Sequence, residues 1–412
     1  MRDPCVTDLS PKSLRGALYR TTEQLAAELA SPTPVAPEWG RAEWLTAQAV
    51  STIHGITPLL RSMLRWRGTE GWERFLDCER ALERQRNRRI LELLRLIHHE
   101  LHSAGVPAVG LKGAALAGTG FYDPGERPMA DVDVLVRRSD LARAARAFEV
   151  LGFEESCRDW KNRVFTVRKG GGFWPLPEPG EHPIKIELHE RICERLPARL
   201  ADISSHVFPQ YANPGLNPYP SRASLMAHLL FHAAGSIVDR LLRLIQLHDI
   251  ALLADRATDQ DWAEVLRMGE AGRRPWWVFP PLRLTARYYP GRVPAWVLDA
   301  ARAYCPPLLR RSASRQRLSD ASLSFPWIQA FPGIAWSRSP AEALEYVVQR
   351  VLSGNEAAAM RGVASQTEPG LSPGERRWLA VSQGRRIIRW LIAHPTRPLT
   401  MRAVRRVFGE RS

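Results

Sequence analysis

Cysteine is sparse. Cys5, Cys78, Cys157, Cys193 and Cys305 are scattered over 412 residues without a Cys-x-x-Cys pair, so neither a disulfide framework nor a structural zinc site is indicated. Long apolar runs are missing too. No stretch approaches the roughly 20 apolar residues that span a bilayer, and the opening Met1-Arg2-Asp3-Pro4 lacks the apolar run of a secretory signal. The expectation is a cytoplasmic protein with no membrane span. Gly-x-Ser-x-Gly, Gly-x-x-x-x-Gly-Lys-Ser/Thr and Gly-x-Gly-x-x-Gly are all absent, which argues against serine hydrolases, P-loop ATPases and dinucleotide enzymes. Gly170-Gly171-Gly172 lacks the strand-to-helix setting of a nucleotide loop. There is no internal repeat.

Lysine is scarce beside arginine, yet the net charge is +15. Much of the excess is local: residues 372–412 hold ten Arg and two Glu, with no Lys or Asp. Such a balance suits acidic partners: nucleotides, nucleic acid, an acidic peptide or an anionic membrane surface; the arginine usage of a GC-rich genome explains it equally well. Hydrophobic content of 45% and charged content of 25% are those of an ordinary globular chain.

Periodicity divides the chain. Residues 1–40 are weakly patterned and end in the linker-like Ser31-Pro32-Thr33-Pro34-Val35-Ala36-Pro37. From about 41 to 103 the pattern is helical, with Ile90, Leu91, Leu94, Ile97 and Leu101 at three- and four-residue spacing. Residues 106–210 alternate strand and helix. Strands are expected at 106–111, 131–136, 164–168 and 184–188, the last two as antiparallel neighbours. Helices are expected at 114–118 and at 139–151, the second opened by Ser139 as N-cap. The Gly- and Pro-rich loop 170–180 is expected to cover the site with Phe173 and Trp174. Residues 221–253 read as helix broken near Gly235, 260–350 as short helices with Trp-Pro joints, and 374–392 as a basic helix.

Chemistry gathers between Leu111 and His189. Asp131 and Asp133 are one residue apart at the head of a Val-Leu run. On a strand they face one side, roughly 7 Å apart along the chain. Paired carboxylates repel and resist burial unless a cation lies between them, and Mg²⁺ with oxygen ligands suits the arrangement. Upstream, Lys112-Gly113 forms a small-residue turn between an expected strand and helix, where amide N–H groups and the lysine charge favour a phosphate. Downstream, Lys185, Glu187 and His189 share a strand face, and Glu187 is placed to supply a third carboxylate. His228 and His232, four apart, read as packed core histidines before they read as metal ligands, and His98, His99 and His102 as structural.

The ordered set resembles the DNA polymerase β-like nucleotidyltransferase superfamily. More narrowly, it is similar to the bacterial family of uncharacterised nucleotidyltransferases, whose Leu-Lys-Gly turn, Tyr-x-x-Pro-Gly-x-Arg segment, Asp-Ile-Asp-Leu-Leu-Val strand and later Asp-Leu-His are matched here. The matches are Leu111-Lys112-Gly113, Tyr122-Asp123-Pro124-Gly125-Glu126-Arg127, Asp131 to Val136, and Glu187-Leu188-His189, followed by Asp249-Ile250-Ala251-Leu252-Leu253. Lys-Gly stands where better-known members have Gly-Ser, and Glu187 where Asp is usual.

The resemblance implies an α+β fold: a small mixed sheet with flanking helices, embedded in a largely helical protein. The implied units are an N-terminal helical region (1–104), a nucleotidyltransferase core (105–215), a helical domain (216–350) and a basic C-terminal helical segment (351–412). It implies a transferase that moves a nucleoside monophosphate from an NTP, with ATP the expected donor, to a hydroxyl acceptor. Asp131, Asp133 and Glu187 would be the catalytic carboxylates and would bind two Mg²⁺ ions. Lys112 and Gly113 would hold the triphosphate, Arg127 would offset its charge, and His189 would orient Glu187 or touch substrate. The acceptor class reads as peptide, protein or small molecule, with a ribosomal peptide suggested by association and RNA less favoured. Transfer of a phosphoryl or sugar group, and an inactive binding module, are the alternatives.

Overall fold

Alternation of polar and aliphatic residues decides the central sheet. Its strands are β1 (Pro107–Gly110), β2 (Asp131–Val136), β3 (Phe153–Arg158), β4 (Asn162–Val167), β5 (Lys185–His189) and β8 (Gly215–Asn217), while β6 (Cys193–Arg195) and β7 (Leu200–Asp202) form a separate antiparallel pair. The computed structural model describes residues 11–117, 120–168, 183–197, 199–269, 272–322, 333–352 and 404. The sheet order is β3-β4-β5-β2-β1-β8. β2 with β5 and β1 with β8 run parallel; the other pairs are antiparallel. This is the expected α+β fold, a mixed sheet flanked by helices in a largely helical chain.

The helices up to the sheet are α1 (Pro11–Ala30), α2 (Arg41–His54), α3 (Thr57–Met63) and α4 (Glu70–Ser103). Within and after it come α5 (Gly113–Leu116), α6 (Leu141–Val150), α7 (Ser204–Val207), α8 (Arg222–Asp239) and α9 (Leu244–Ala254), with further short helices between Asp259 and Leu352. α4 opens where the Thr69 side chain accepts from the Trp72 amide at 3.3 Å, satisfying a donor that a helix start leaves unpaired.

Each sheet face has its own core. Val132, Val134 and Val136 of β2, with Ile186 and Leu188 of β5, pack against Ile90, Leu93, Ile97 and Leu101 of α4 and Phe148 of α6. Leu93, not the half-buried Leu91 or Leu94, completes the α4 stripe. Removing a fully buried Ile or Leu from such a stripe costs about 2–5 kcal/mol. On the opposite face Val109, Leu111 and Leu135 join a larger core built from α1, α2, α8, α9 and the helices that follow. The helices before and after the sheet therefore share one apolar interior. Glu23 of α1 ties them further, accepting from Tyr288 Oη at 2.7 Å and from Ser319 Oγ at 2.6 Å.

Three local expectations need correction. Ser139 is not an N-cap: it lies in the 3₁₀ turn Arg138–Asp140, and α6 starts after Asp140. The long helix does not break at Gly235, which is buried inside α8 where a Cβ would collide with the Glu194 side chain. The break falls instead at Arg240, whose φ of 57° ends α8 in a left-handed cap. The helix expected at 114–118 is a single turn, α5, so its end carries little of the dipole that a longer helix would bring to an anion. The loop 170–180, Phe325-Pro326-Trp327 and the basic segment 374–392 lie outside the described residues.

His54 links α2 to the start of α9. It is fully buried, its Nδ1 accepts from the Leu244 amide at 3.1 Å, and burial together with Arg243 pushes its pKa down to about 3. Between the ordinary histidine pKa of about 6.5 and that value, only the unfolded chain takes up the proton. This contribution to stability is therefore complete above pH 6.5 and is lost as pH falls. His54→Phe should be less stable than the parent by about 1–3 kcal/mol at pH 7.5, the cost of an unpaired buried amide, with the deficit shrinking towards pH 4.5. Thermal melts across that range check it; a deficit independent of pH would show that His54 does not titrate with folding.

Candidate active site

Parallel pairing of β2 with β5 sets Asp131 opposite Lys185, Asp133 opposite Glu187 and Leu135 opposite His189. Side chains two residues apart share a face, so both acidic strands present their polar residues on the side that meets the larger helical core. Asp133 is the buried centre, 6% exposed. Its Oδ1 accepts from the Lys112 ammonium at 2.9 Å and from His189 Nε2 at 2.9 Å. His189 Nε2 lies 3.7 Å from Glu187 Oε2, and Glu187 also accepts from Asn162 Nδ2 on β4. One ligand atom each from Asp133, Glu187 and His189 falls within 4.8 Å of the others. Asp131 stands half-buried beside this group.

The three carboxyls do not behave alike. Burial and the neighbouring Asp133 raise Asp131. Burial, Asp133 and Asp131 push Glu187 up to about 8. Burial opposes the charge on Asp133 as well, but Lys112 and His189 outweigh it and hold that carboxyl far below the usual range. Lys112 stays charged against its own burial because all three carboxyls surround it. Three acids thus surround one ammonium, which is in ion-pair contact with Asp133. Hard oxygen donors carrying excess negative charge suit a divalent cation, and His189 adds a nitrogen donor. The residues fit a metal.

Lys112 occupies strained backbone, with φ 47° and ψ −111°, a region that non-glycine residues rarely adopt. Its amide donates to Tyr219 Oη at 3.2 Å, and that hydroxyl is hydrogen-bonded to His228 Nδ1 at 2.7 Å. Burial holds the His228 ring pKa well below the ordinary histidine value. His232 faces Glu194, 3.5 Å away. The two histidines of α8 thus have separate partners and do not form a metal pair. His98 Nδ1 accepts from the Leu216 amide at 3.0 Å and His102 Nδ1 lies 3.2 Å from the Pro214 carbonyl, structural placements both.

Two sequence-derived site residues have other neighbours than expected. A Cβ on Gly113 would lie 2.5 Å from Arg127 Nη1 and 2.8 Å from Met129 Sδ, so the glycine makes room for the protein's own side chains. Arg127 is not open to solvent either. Its Nε and Nη2 donate to Asp249 at 2.9 and 2.7 Å, and Asp249 also accepts from Tyr122 Oη at 2.6 Å. Gly125, between them, has φ +85°, and a Cβ there would lie 2.8 Å from the Arg84 Cα. The Tyr-x-x-Pro-Gly-x-Arg segment is therefore a clasp that fastens the sheet to α9.

A profile of the uncharacterised nucleotidyltransferase family matches residues 40–290, more than half of the chain. The chain belongs to that family. Comparison with curated proteins and with solved structures gives no match. Within this nucleotidyltransferase, the structure brings Lys112, Asp131, Asp133, Glu187 and His189 together and sends Arg127 to Asp249. Sequence reasoning missed Asn162, Tyr219 and Asp249 as parts of the site and its frame. Asp249 left a signal, since it is the one acid in α9 and opens the matched Asp-Ile-Ala-Leu-Leu segment; Asn162 and Tyr219 left none.

Asp249 is 2% exposed, so removing its arginine leaves a buried, uncompensated charge. Arg127→Ala should lower stability by about 3–5 kcal/mol, read by denaturant melts, with Asp249→Asn also destabilising. A loss under 1 kcal/mol would instead mark Arg127 as a solvated residue.

Proposed function

We propose that the protein is a divalent-metal-dependent nucleotidyltransferase of the DNA polymerase β-like type, moving a nucleoside monophosphate from an NTP to a hydroxyl acceptor. The observation that carries this reading is the parallel register of Asp133 with Glu187, with Asp131 on the same face and Lys112 against them. In this reading Asp131, Asp133 and Glu187 hold Mg²⁺, with His189 fixing Asp133 and standing by as a further donor. Bound there, the cation supplies charge for the attacking and leaving oxygens of an in-line displacement. Lys112 is the counter-ion of Asp133 and the charge nearest to an incoming triphosphate.

The acceptor hydroxyl gives its proton to Glu187 while its oxygen bonds the α-phosphorus. The bond from that phosphorus to the bridging oxygen breaks, and pyrophosphate leaves with the electron pair. ATP is the proposed donor. A peptide, protein or small hydroxylated molecule is the proposed acceptor class, and the basic charge of the chain favours an acidic one.

Titration calorimetry with Mg²⁺ and each of the four NTPs tests the reading. The parent should bind at least one Mg·NTP and gain thermal stability, by about 2.7 kcal/mol at a hundred-fold excess over Kd. Asp133→Asn should lose both effects while keeping its far-ultraviolet spectrum. Mass spectrometry of acceptor candidates then identifies the transferred group: a nucleotide mass supports this reading, a phosphoryl or sugar mass replaces it. If the parent shows no Mg²⁺-dependent binding, Lys112 is a permanent counter-ion in an inactive fold.

A further inference from the structure

One buried carboxylate outside the acidic group is surrounded by residues that lead back to it. Glu194 on β6 follows Glu187 along the chain and is 7% exposed. Two other elements close on it. Lys161, in the turn that joins β3 to β4, donates its ammonium to Glu194 Oε2. His232 on α8 places Nδ1 3.5 Å from Oε1. Gly235, further along α8, makes room, because a Cβ there would collide with the Glu194 carboxylate. Glycine inside a helix costs about 1 kcal/mol against alanine, so α8 gives up stability at the position that admits this acid. The turn itself is tight, with the Asp159 amide donating to the Asn162 carbonyl at 2.8 Å. Arg195, next to Glu194, lies 5.3 Å from the centre of the Trp160 ring. β6 thus grips two consecutive turn residues, Trp160 and Lys161. The residue that follows them, Asn162, opens β4 and donates to Glu187.

A carboxylate that is to hold a metal must be oriented by its own hydrogen bonds, and the groups that orient it must be held in turn. Asn162 is such a group for Glu187, and it sits at the end of a hairpin turn, where a strand is least constrained by its ladder. We propose that Glu194 is a positioning residue for Glu187: by holding Lys161 it seats the β3–β4 turn, so that Asn162 fixes the Glu187 carboxylate beside Asp133. The buried acid and the site acid are then gripped by neighbouring residues of one turn, Lys161 and Asn162. The inference rests on the metal-binding reading of the site and adds to it a group that touches neither metal nor substrate.

Titration of the full chain with Mn²⁺ alone, an ion that shares the preference of Mg²⁺ for oxygen donors, tests it, with free Mn²⁺ followed by paramagnetic resonance. Asn162→Ala should weaken Mn²⁺ binding by about tenfold or more, and Glu194→Gln by about threefold or more. Lys161→Met separates positioning from charge. Losing a positive charge near the site tightens a bound cation if charge alone acts. If Lys161 seats the turn, Mn²⁺ binds about threefold or more weakly instead. Parental or tighter binding in Lys161→Met overturns the inference and leaves the metal reading standing. Absence of saturable Mn²⁺ binding in the parent overturns both. Should Lys161→Met fail to fold, Glu194→Gln is compared with and without Asn162→Ala: a loss that vanishes in the Asn162→Ala background supports the role, and an additive loss overturns it.

Discussion

Everything around the site answers one electrostatic problem: Asp133 and Glu187 stand side by side on parallel strands in a half-buried setting where like charges cannot be screened by water. The pairing register creates the problem, and the surrounding residues supply partial answers. Lys112 and His189 converge on one oxygen of Asp133, Asn162 takes Glu187, and the unanswered charge shows as raised Asp131 and Glu187 carboxyls. Even the strained φ of Lys112 belongs here, since the unusual turn occurs at the residue whose ammonium meets Asp133, with Tyr219 and His228 supporting it from behind.

A second layer holds the first in place from a distance. Tyr122 and Arg127, on the segment leading into β2, both reach Asp249 on α9. Arg86 of α4 donates to the Met129 and Ala130 carbonyls at 2.7 and 2.9 Å, just before Asp131. The head of the acidic strand is thus fixed from α4 and from α9, and the carboxylates inherit their positions from both.

Much of this was legible in the residues. The alternation at Asp131–Val136 and Lys185–His189 was enough to place two strands with their acids on one face, because a period of two leaves no freedom about which side a residue takes. The helical stripe from Ile90 to Leu101 was readable for the same reason at a period of 3.6, though Leu93 was passed over in it. What could not be read were pairings between distant side chains. Arg127 looked like a phosphate ligand because nothing in its neighbourhood reveals that Asp249, over a hundred residues later, claims its guanidinium. Gly113 looked open for the same reason. The break at Arg240 rather than Gly235 is a case of packing overriding propensity: Glu194 fills the space over Gly235, and the helix continues through it.

The undivided interior formed by α1, α2, α8, α9 and the sheet face of Val109, Leu111 and Leu135 has a bearing on how such a protein diversifies. A catalytic sheet that ends its own core can be joined to new neighbours as a cassette, with specificity exchanged by swapping the attachment. Here the sheet's site-bearing face is a wall of the same room that the chain's first and later helices enclose. New specificity would therefore have to arise by changes on the surface and in the loops of the whole body, not by recombining one piece with another.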